Sequence, residues 1–242
     1  MRYGFFSDVH SNLEALGAVA EDFQKEKLEK IFFLGDAVGY GPEPNECVEL
    51  IQKLASKPLM GNHDYAALDM METSWFNQYA REAIEWTKNK LNEGNFQILS
   101  EYVMDDRFNI FHLVHSTPKD PQSWDYIFDL DEAEENFGFF QSQICLVGHS
   151  HRPFIIKKYD DKHCFLHENN SVKIENEFKY LINIGAVGQP RDGDNRACYL
   201  IYDNEEKIAR LKRVGYDIKK TQKKMKKAKL PQFLIERLYY GR

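Results

Sequence analysis

The chain has 242 residues, of which 43% are hydrophobic and 29% charged, and this length and composition predict one folded domain and exclude extended disorder. The net charge of −6 excludes a general attraction to nucleic acid, so phosphate binding requires local positive charge or metal ions. We expect a cytoplasmic protein away from membranes, because the four cysteines are far apart and the sequence has neither a signal-peptide pattern nor an apolar stretch of about 20 residues.

Up to about residue 110, short apolar runs alternate with amphipathic stretches, which is typical of β-α-β units on a largely parallel sheet. A turn-rich segment at residues 39–42 separates a predicted strand from a predicted helix. The pattern predicts strands at residues 3–6, 31–34 and 58–60, and helices near residues 12–23 and 43–54.

A more helical insert follows at residues 74–99, and after it the chain becomes rich in β-like segments. The predicted strands of this part lie at residues 108–114, 144–147, 154–159, 180–184 and 197–202. Two helices separated by Pro231 are predicted near residues 217–239. Because no internal repeat or low-complexity linker interrupts the pattern, we predict a single domain over residues 1–242.

Several predicted strands end at a residue that is followed at once by aspartate, histidine or asparagine. Strand ends hold side chains on a rigid edge, so several of them in one sheet can converge on a point. One such residue alone is ordinarily a helix cap or a hydrogen-bonded polar group, but the set supplies six or seven oxygen and imidazole ligands and no thiolate. That number exceeds the need of one divalent ion, so two ions are predicted. The polar residues of these motifs are Asp8, His10, Asp36, Asn62, His63, Asp64, His115, His149 and His151, and six or seven of them would be ligands.

In this order, and over residues 5–195, these motifs resemble the five signature blocks of the calcineurin-like metallophosphoesterases. The resemblance implies an α/β/β/α sandwich, in which two mixed sheets pack face to face and carry a dinuclear centre at their strand ends. It also implies that Asp36 bridges the two ions. By similarity the first ion is held by Asp8, His10, Asp36 and His151, and the second by Asp36, Asn62, His115 and His149.

The resemblance implies catalytic roles for two further residues. His63 matches the histidine of the family that is not a metal ligand, and its expected role is acid catalysis or stabilisation of charge in the transition state. Asp64 is expected to orient His63.

Two glycine-containing blocks resemble those of bacterial and archaeal members of similar length, which include diadenosine tetraphosphatases. They carry Tyr40 and Arg191, which are candidates for binding substrate, with Tyr40 stacked on a base and Arg191 paired with a phosphate. The alternative is a pair of structural turns in which Arg191 pairs with Asp192 or Asp194.

The motifs therefore predict a hydrolase with two divalent ions, manganese first, with iron, zinc, nickel or cobalt as alternatives. A metal-bound hydroxide would cleave a phosphoester or phosphoanhydride, and a phosphodiester or dinucleoside polyphosphate is favoured. The partner is a small phosphorylated molecule, a nucleotide among the candidates, rather than nucleic acid or a membrane. A phosphomonoesterase or protein phosphatase, a nuclease, and a non-catalytic scaffold with this fold stay open as alternatives, although the full ligand set and His63 speak against the scaffold.

Three features have no assigned role. The lysine-rich stretch at residues 219–229 is interpreted as a solvated surface helix rather than a nucleic-acid site. His112 lies on the predicted strand of His115 and could contact a ligand histidine. Trp75 and Phe76 of the insert could form a substrate wall, a dimer contact or ordinary packing.

Overall fold

The computed structural model describes residues 1–159 and 163–242, which form two β-sheets with helices on their outer faces. One sheet has five strands, in the order β2 (Lys30–Phe33), β1 (Arg2–Phe6), β10 (Ala197–Asp203), β11 (Ile208–Val214) and β8 (Ser171–Lys173). β1 runs parallel to β2 and antiparallel to β10, so this first sheet is mixed.

The second sheet has six strands, in the order β3 (Asp105–Phe108), β4 (Phe111–Val114), β5 (Ile144–Val147), β9 (Lys179–Asn183), β6 (Phe154–Lys158) and β7 (Cys164–Leu166). β4, β5 and β9 are parallel, whereas β3, β6 and β7 are joined by antiparallel pairing. β5 is buried at all of its positions, as expected for a central strand whose two faces are covered.

Helices connect the strands and cover the sheets. They are α1 (Leu13–Glu26), α2 (Pro44–Leu54), α3 (Asn62–Ala67), α4 (Gln78–Lys88), α5 (Glu93–Ser100), α6 (Leu130–Asn136), α7 (Ile218–Lys227) and α8 (Gln232–Tyr240), with 3₁₀ turns at Thr73–Trp75 and Phe137–Phe139. Within the described residues, no helix combines the length and the apolar character needed to cross a membrane.

Alternation along the strands divides the apolar side chains between the two faces of each sheet. On β1, Phe6 faces the helices and packs against Phe23 of α1, whereas Phe5 faces the second sheet and packs against Phe111 of β4. Helix α6 covers the outer face of the second sheet. The predicted α/β/β/α sandwich of two mixed sheets is thereby confirmed.

Some local predictions differ from the structure. Residues 58–60 form a single bridge, between Leu59 and Val103, because the chain turns at once into α3. Residues 108–114 are not one strand but part of the β3–β4 hairpin, with Asn109 in the left-handed region (φ 49°) at its turn. The sequence pattern misses β7, β8, β11 and α6, which are short or carry charged side chains between the apolar ones.

Candidate metal centre

The site lies where four strands from the two sheets end side by side. β1 ends two residues before Asp8, β2 shortly before Asp36, β4 directly before His115 and β5 two residues before His149. The backbone N–H of Asp8 donates to the carbonyl of Gly35 (2.9 Å), and that of His149 donates to the Asp8 carboxylate (3.2 Å). The second bond joins the two sheets, so their face-to-face packing brings the loops together.

Five of the predicted ligand residues have left-handed backbone conformations, which residues other than glycine rarely adopt. Each one costs on the order of 1–3 kcal/mol, and such strain concentrates at functional sites because the surrounding contacts hold it. The conformation turns each loop sharply at the end of its strand. The residues are Asp8 (φ 55°), His10 (49°), Asp36 (61°), His149 (64°) and His151 (59°).

Two glycines leave room for the carboxylates. A Cβ atom on Gly61 would lie 2.1 Å from Oδ1 of Asp36, and one on Gly148 would lie 2.5 Å from Oδ2 of Asp8. Any side chain at either position would displace a carboxylate, which explains why glycine precedes the polar residues in both motifs.

The first cluster contains Asp8, His10, Asp36 and His151, whose candidate ligand atoms all lie within 4.8 Å of one another. Nδ1 of His10 donates to the carbonyl of Val38 (3.0 Å), and Nδ1 of His151 donates to a backbone carbonyl at 2.6 Å. A carbonyl can only accept, so Nε2 of each ring carries a lone pair. These two Nε2 atoms are 3.0 Å apart, so their lone pairs repel unless a shared proton or a metal cation lies between them.

The second cluster contains Asp36, His115 and His149, again with ligand atoms within 4.8 Å. Nδ1 of His115 donates to the carbonyl of Leu34 (2.7 Å), and its Nε2 lies 3.4 Å from Oδ2 of Asp36. His149 has the opposite tautomer, because its Nε2 donates to the carbonyl of Trp124 (2.8 Å) and leaves Nδ1 free. Asp36 belongs to both clusters, as a bridging carboxylate would.

Three buried atoms of this set lack a hydrogen-bond partner among the described residues: Oδ1 of Asp8, Oδ1 of Asn62 and Nε2 of His115. Leaving a buried polar atom without a partner costs about 1–3 kcal/mol, and native proteins avoid it. The two oxygens offer lone pairs to a cation, and Nε2 of His115 does so once its proton leaves. The residues therefore fit a pair of divalent cations bound by oxygen and imidazole nitrogen.

The protonation states favour cation binding. Burial lowers the pKa of His149 to about 3 and that of His10 well below its usual value, so both rings are neutral near pH 7. Burial alone would raise the pKa of Asp36, but the nearby imidazoles, His115 first, hold it well below its usual value. Burial opposes charge on His115 too, yet the Asp36 carboxylate raises the pKa of His115 to about 9. One proton therefore partly neutralises the site, and a cation would replace it.

His63 lies beside the clusters without belonging to them. Its backbone N–H donates to Oδ1 of Asp36 (2.9 Å), and its ring packs against His10, Tyr40 and Phe76 at centroid distances of 4.7, 4.4 and 5.0 Å. Burial lowers the pKa of His63 to about 4, and its Nδ1 has no hydrogen-bond partner within the described part of the chain. The ring lines the cavity described below, so it faces the space open to a substrate.

Asp64 contacts the Asp36 loop rather than His63. Its carboxylate accepts hydrogen bonds from the backbone N–H groups of Asp36 (2.8 Å), Gly61 (3.0 Å) and Val38 (3.1 Å). Burial, with the nearby charge of Asp36, raises the pKa of Asp64 to about 7. The expectation that Asp64 orients the His63 ring is therefore corrected, because three backbone donors take up the carboxylate.

Tyr40 is buried, with 6% of its surface exposed. Its ring packs against His10 (4.6 Å) and His63 (4.4 Å), and the guanidinium carbon of Arg191 lies 5.5 Å from its centroid. The ring has neighbours where a base would stack. Tyr40 therefore packs against the two histidines, and the stacking of a base on the part of the ring that lines the cavity stays a prediction.

Arg191 is not tied to the aspartates that follow it. Its Nε and Nη2 donate to the amide oxygen of Gln189, at 3.2 and 2.8 Å. Asp192 pairs with Arg213, and Asp194 pairs with Arg196 instead. Within the described residues no carboxylate pairs with Arg191, so its charge remains available to an anion.

A cavity of about 660 Å³ opens beside Asn62, His63 and His149. One side of the cavity is the segment at residues 122–126, which the sequence motifs do not include. The carbonyl of Trp124 accepts a hydrogen bond from His149, and Tyr126 stacks on the ring of His149 (4.1 Å, 15°). No motif marks this segment, because its link to the site is a backbone carbonyl and a ring contact. The aromatic residues around the cavity are Tyr40, Tyr65, Trp75, Phe76, Trp124 and Tyr126.

His112 lies apart from the centre. Its Nε2 is 3.1 Å from the carboxylate of Asp105 on the neighbouring strand β3. His112 is thus hydrogen-bonded to the neighbouring strand, and this bond does not join it to a ligand histidine.

Comparison with known proteins places the chain in a family. Residues 1–207 match the model of the calcineurin-like phosphoesterase superfamily domain. An uncharacterized protein of Methanocaldococcus jannaschii is 43% identical over 240 residues, which are 98% of this chain and 96% of that protein.

Two solved structures share the whole fold. A metallophosphoesterase from Sphaerobacter thermophilus is 38% identical, with a TM-score of 0.88 over 100% of this chain and 99% of that one. A hypothetical protein from Pyrococcus horikoshii is 20% identical, with a TM-score of 0.81 over 100% and 98% of the two chains, a likeness that concerns the fold alone.

Proposed function

The chain belongs to the calcineurin-like phosphoesterase superfamily, whose members are metal-dependent hydrolases of phosphoester bonds, and from this premise we propose that it is a two-ion phosphohydrolase. The favoured substrates are a phosphodiester and a dinucleoside polyphosphate. Asp8, His10, Asp36 and His151 would hold one ion, and Asp36, Asn62, His115 and His149 the other.

The proposal is carried by one observation. Two clusters of buried ligand atoms share Asp36 and lie beside a cavity large enough for a small organic ligand. Two ions in such a site lower the pKa of a bound water and neutralise charge on phosphoryl oxygens.

The chain's own residues orient the substrate. His63 lies against Asp36 and faces the cavity. Because its pKa of about 4 leaves the ring neutral near pH 7, it would stabilise the charge of the leaving oxygen by a hydrogen bond from its N–H, and would act as an acid only when protonated. Arg191, whose charge is not neutralised by a carboxylate in the described residues, would bind a phosphate oxygen through its two outer N–H groups. Asp64 holds the backbone of the Asp36 loop and so keeps the bridging carboxylate in place.

Manganese is the ion we favour, because oxygen ligands and imidazoles without thiolate suit it. We propose the cytoplasm as the compartment, because Cys47, Cys145, Cys164 and Cys198 are all buried thiols, which suit a reducing environment.

The test compares the manganese-loaded protein with His63→Ala on diadenosine tetraphosphate, bis-p-nitrophenyl phosphate and p-nitrophenyl phosphate. We expect wild type to cleave at least one diester or anhydride, and His63→Ala to lose about 10²–10⁴-fold in kcat while it binds the same amount of manganese. His167→Ala is the matched control, since His167 bonds to a backbone carbonyl outside the site.

Two results would contradict the proposal. If wild type binds two ions and leaves all three compounds intact, the scaffold alternative is favoured. If His63→Ala turns over as fast as His167→Ala, His63 has no part in the reaction.

A further inference from the structure

The cavity beside the metal centre has two aromatic walls of different origin. One wall is the segment around the Thr73–Trp75 turn, and its Phe76 packs against His63 (5.0 Å). The other is the segment at residues 122–126, and its Tyr126 stacks on His149 (4.1 Å). Because His63 belongs to one side of the centre and His149 to the other, the walls flank the place where a phosphoryl group would lie.

Trp75 is the most exposed aromatic residue of the insert. Its side chain lines the cavity with 88% of its surface exposed. Its position at the cavity leaves a large aromatic face open to a ligand, with the indole N–H as a polar group beside it. The interpretation of Trp75 as ordinary packing of the insert is therefore wrong.

The opposite wall is built from rings that stack on one another. Tyr126 lies nearly parallel to His149 (15°) and to Phe128 (11°), which continues the stack outward at 5.0 Å. The backbone carbonyl of Trp124 accepts a hydrogen bond from His149, and the Trp124 ring packs against Tyr65 with their centroids 5.6 Å apart. Because His149 and Phe128 cover the two faces of Tyr126, a planar ligand would meet the edge of that ring and find its free stacking face on Trp75.

The polar groups of the cavity suit the edge of a base. Asn77, Gln122 and Ser123 line it and offer both donors and acceptors, as the ring nitrogens and exocyclic groups of a base require. A volume of about 660 Å³ also exceeds what a lone phosphate needs.

We propose that this cavity binds a nucleobase of the substrate, stacked on Trp75 and facing the Tyr126 wall, next to the phosphate at the metal centre. The inference rests on the proposed function for the position of the phosphate. It assigns base recognition to the insert, at a residue other than Tyr40, and makes Trp75 a specificity-determining residue.

The kinetic test uses two esters with the same leaving group, thymidine 5′-(p-nitrophenyl phosphate) and methyl p-nitrophenyl phosphate. Loss of one stacking contact lowers affinity by about 5- to 100-fold, so Trp75→Ala should raise KM for the thymidine ester by that factor and leave the methyl ester nearly unchanged. Trp75→Phe should restore much of the affinity. Phe96→Ala, which removes an exposed aromatic ring of the insert outside the cavity, should change neither ester.

A binding test separates this inference from the hydrolase proposal. Adenosine 5′-monophosphate should quench the tryptophan fluorescence of wild type more than ribose 5-phosphate does, and Trp75→Phe should remove most of that difference while Trp86→Phe keeps it. If neither ester is cleaved but this quenching is found, the reaction class fails and the base site stands.

Other outcomes overturn the inference. Equal effects of Trp75→Ala on both esters, or equal quenching by the two ligands, would exclude a base site. A change from dimer to monomer in Trp75→Ala, measured by light scattering with nucleotide binding unchanged, would assign Trp75 to a contact between copies of the chain.

Discussion

At the scale of single residues, the backbone sets the chemistry of each imidazole. His10, His115 and His151 donate from Nδ1 to a carbonyl, whereas His149 donates from Nε2. Each ring therefore presents one defined nitrogen to the centre, so no ring rotation is needed when a cation binds and only the proton of His115 has to leave. Such preorganisation reduces the entropy cost of assembling the site.

Asp36 provides the sharpest prediction at this scale. Asp36→Asn keeps the oxygen that accepts from His63 but removes the charge shared by both clusters. We expect bound manganese to fall from about two ions per chain to below one, whereas His115→Ala, which affects only the second cluster, should leave about one. Metal content after dialysis, measured by atomic absorption, checks both values.

The matched control is Asp105→Asn, because Asp105 pairs with His112 away from the centre. It should bind manganese as wild type does. Equal metal loss in Asp36→Asn and His115→Ala would argue against Asp36 as the bridge.

At the scale of elements, the lysine-rich helix α7 is a structural support. Lys224 donates to Glu14 of α1 (2.5 Å) and to Glu43 at the start of α2 (2.6 Å). Thr221 and Met225 of α7 are buried on the inner face of the helix. Met225 packs in the cluster that includes Tyr40, so the helix lies behind the loop that positions His63. The interpretation of the stretch as a solvated surface helix misses the two ion pairs of Lys224.

Lys224→Met should destabilise the fold by about 1–2 kcal/mol, since it leaves the largely buried carboxylate of Glu43 without its cation and Glu14 with Lys220 alone (3.2 Å). The value lies below the roughly 3–5 kcal/mol of a fully buried pair because Lys224 is 31% exposed. Urea denaturation measures the change. Lys223→Met, at an exposed position of the same helix, is the control and should cost less than about 0.5 kcal/mol.

Identical stability of the two methionine variants would show that Lys224 is no anchor. A loss confined to pH values at which Glu14 and Glu43 are ionised would support the charge argument against a purely steric one.

At the scale of the whole molecule, the apolar layer between the two sheets holds the centre together. The layer contains Phe5, Leu146 and Leu200, all completely buried, and its strands end in the loops that carry the ligands. Any loss of packing there loosens the two halves of the site together, because each sheet supplies part of both clusters.

Leu200→Ala should therefore lower the free energy of unfolding by about 2–5 kcal/mol, through lost burial and the cavity that remains. The melting temperature should fall by roughly 2–4 °C for each kcal/mol in a chain of this size. Leu166→Ala, at a position with 58% of the side chain exposed, is the matched control, and calorimetry that gave equal shifts for both variants would contradict the argument.

The sequence by itself determined the fold class and the candidate ligands, because both depend on local patterns. Apolar runs that end at a polar residue identify β1, β2, β4 and β5, and the same runs place Asp8, Asp36, His115 and His149 at the strand ends. The order of the motifs was enough to identify the family, and the comparisons confirm that family.

Only the tertiary structure decided what each neighbouring side chain does. Asp64 binds backbone N–H groups, Tyr40 is enclosed by two histidines, and Trp75 stands exposed at the cavity. The wall that contains Tyr126 and the anchor at Lys224 likewise join residues far apart in the chain. Contacts of this kind depend on the directions in which side chains point from packed helices and strands. A local sequence pattern does not determine those directions.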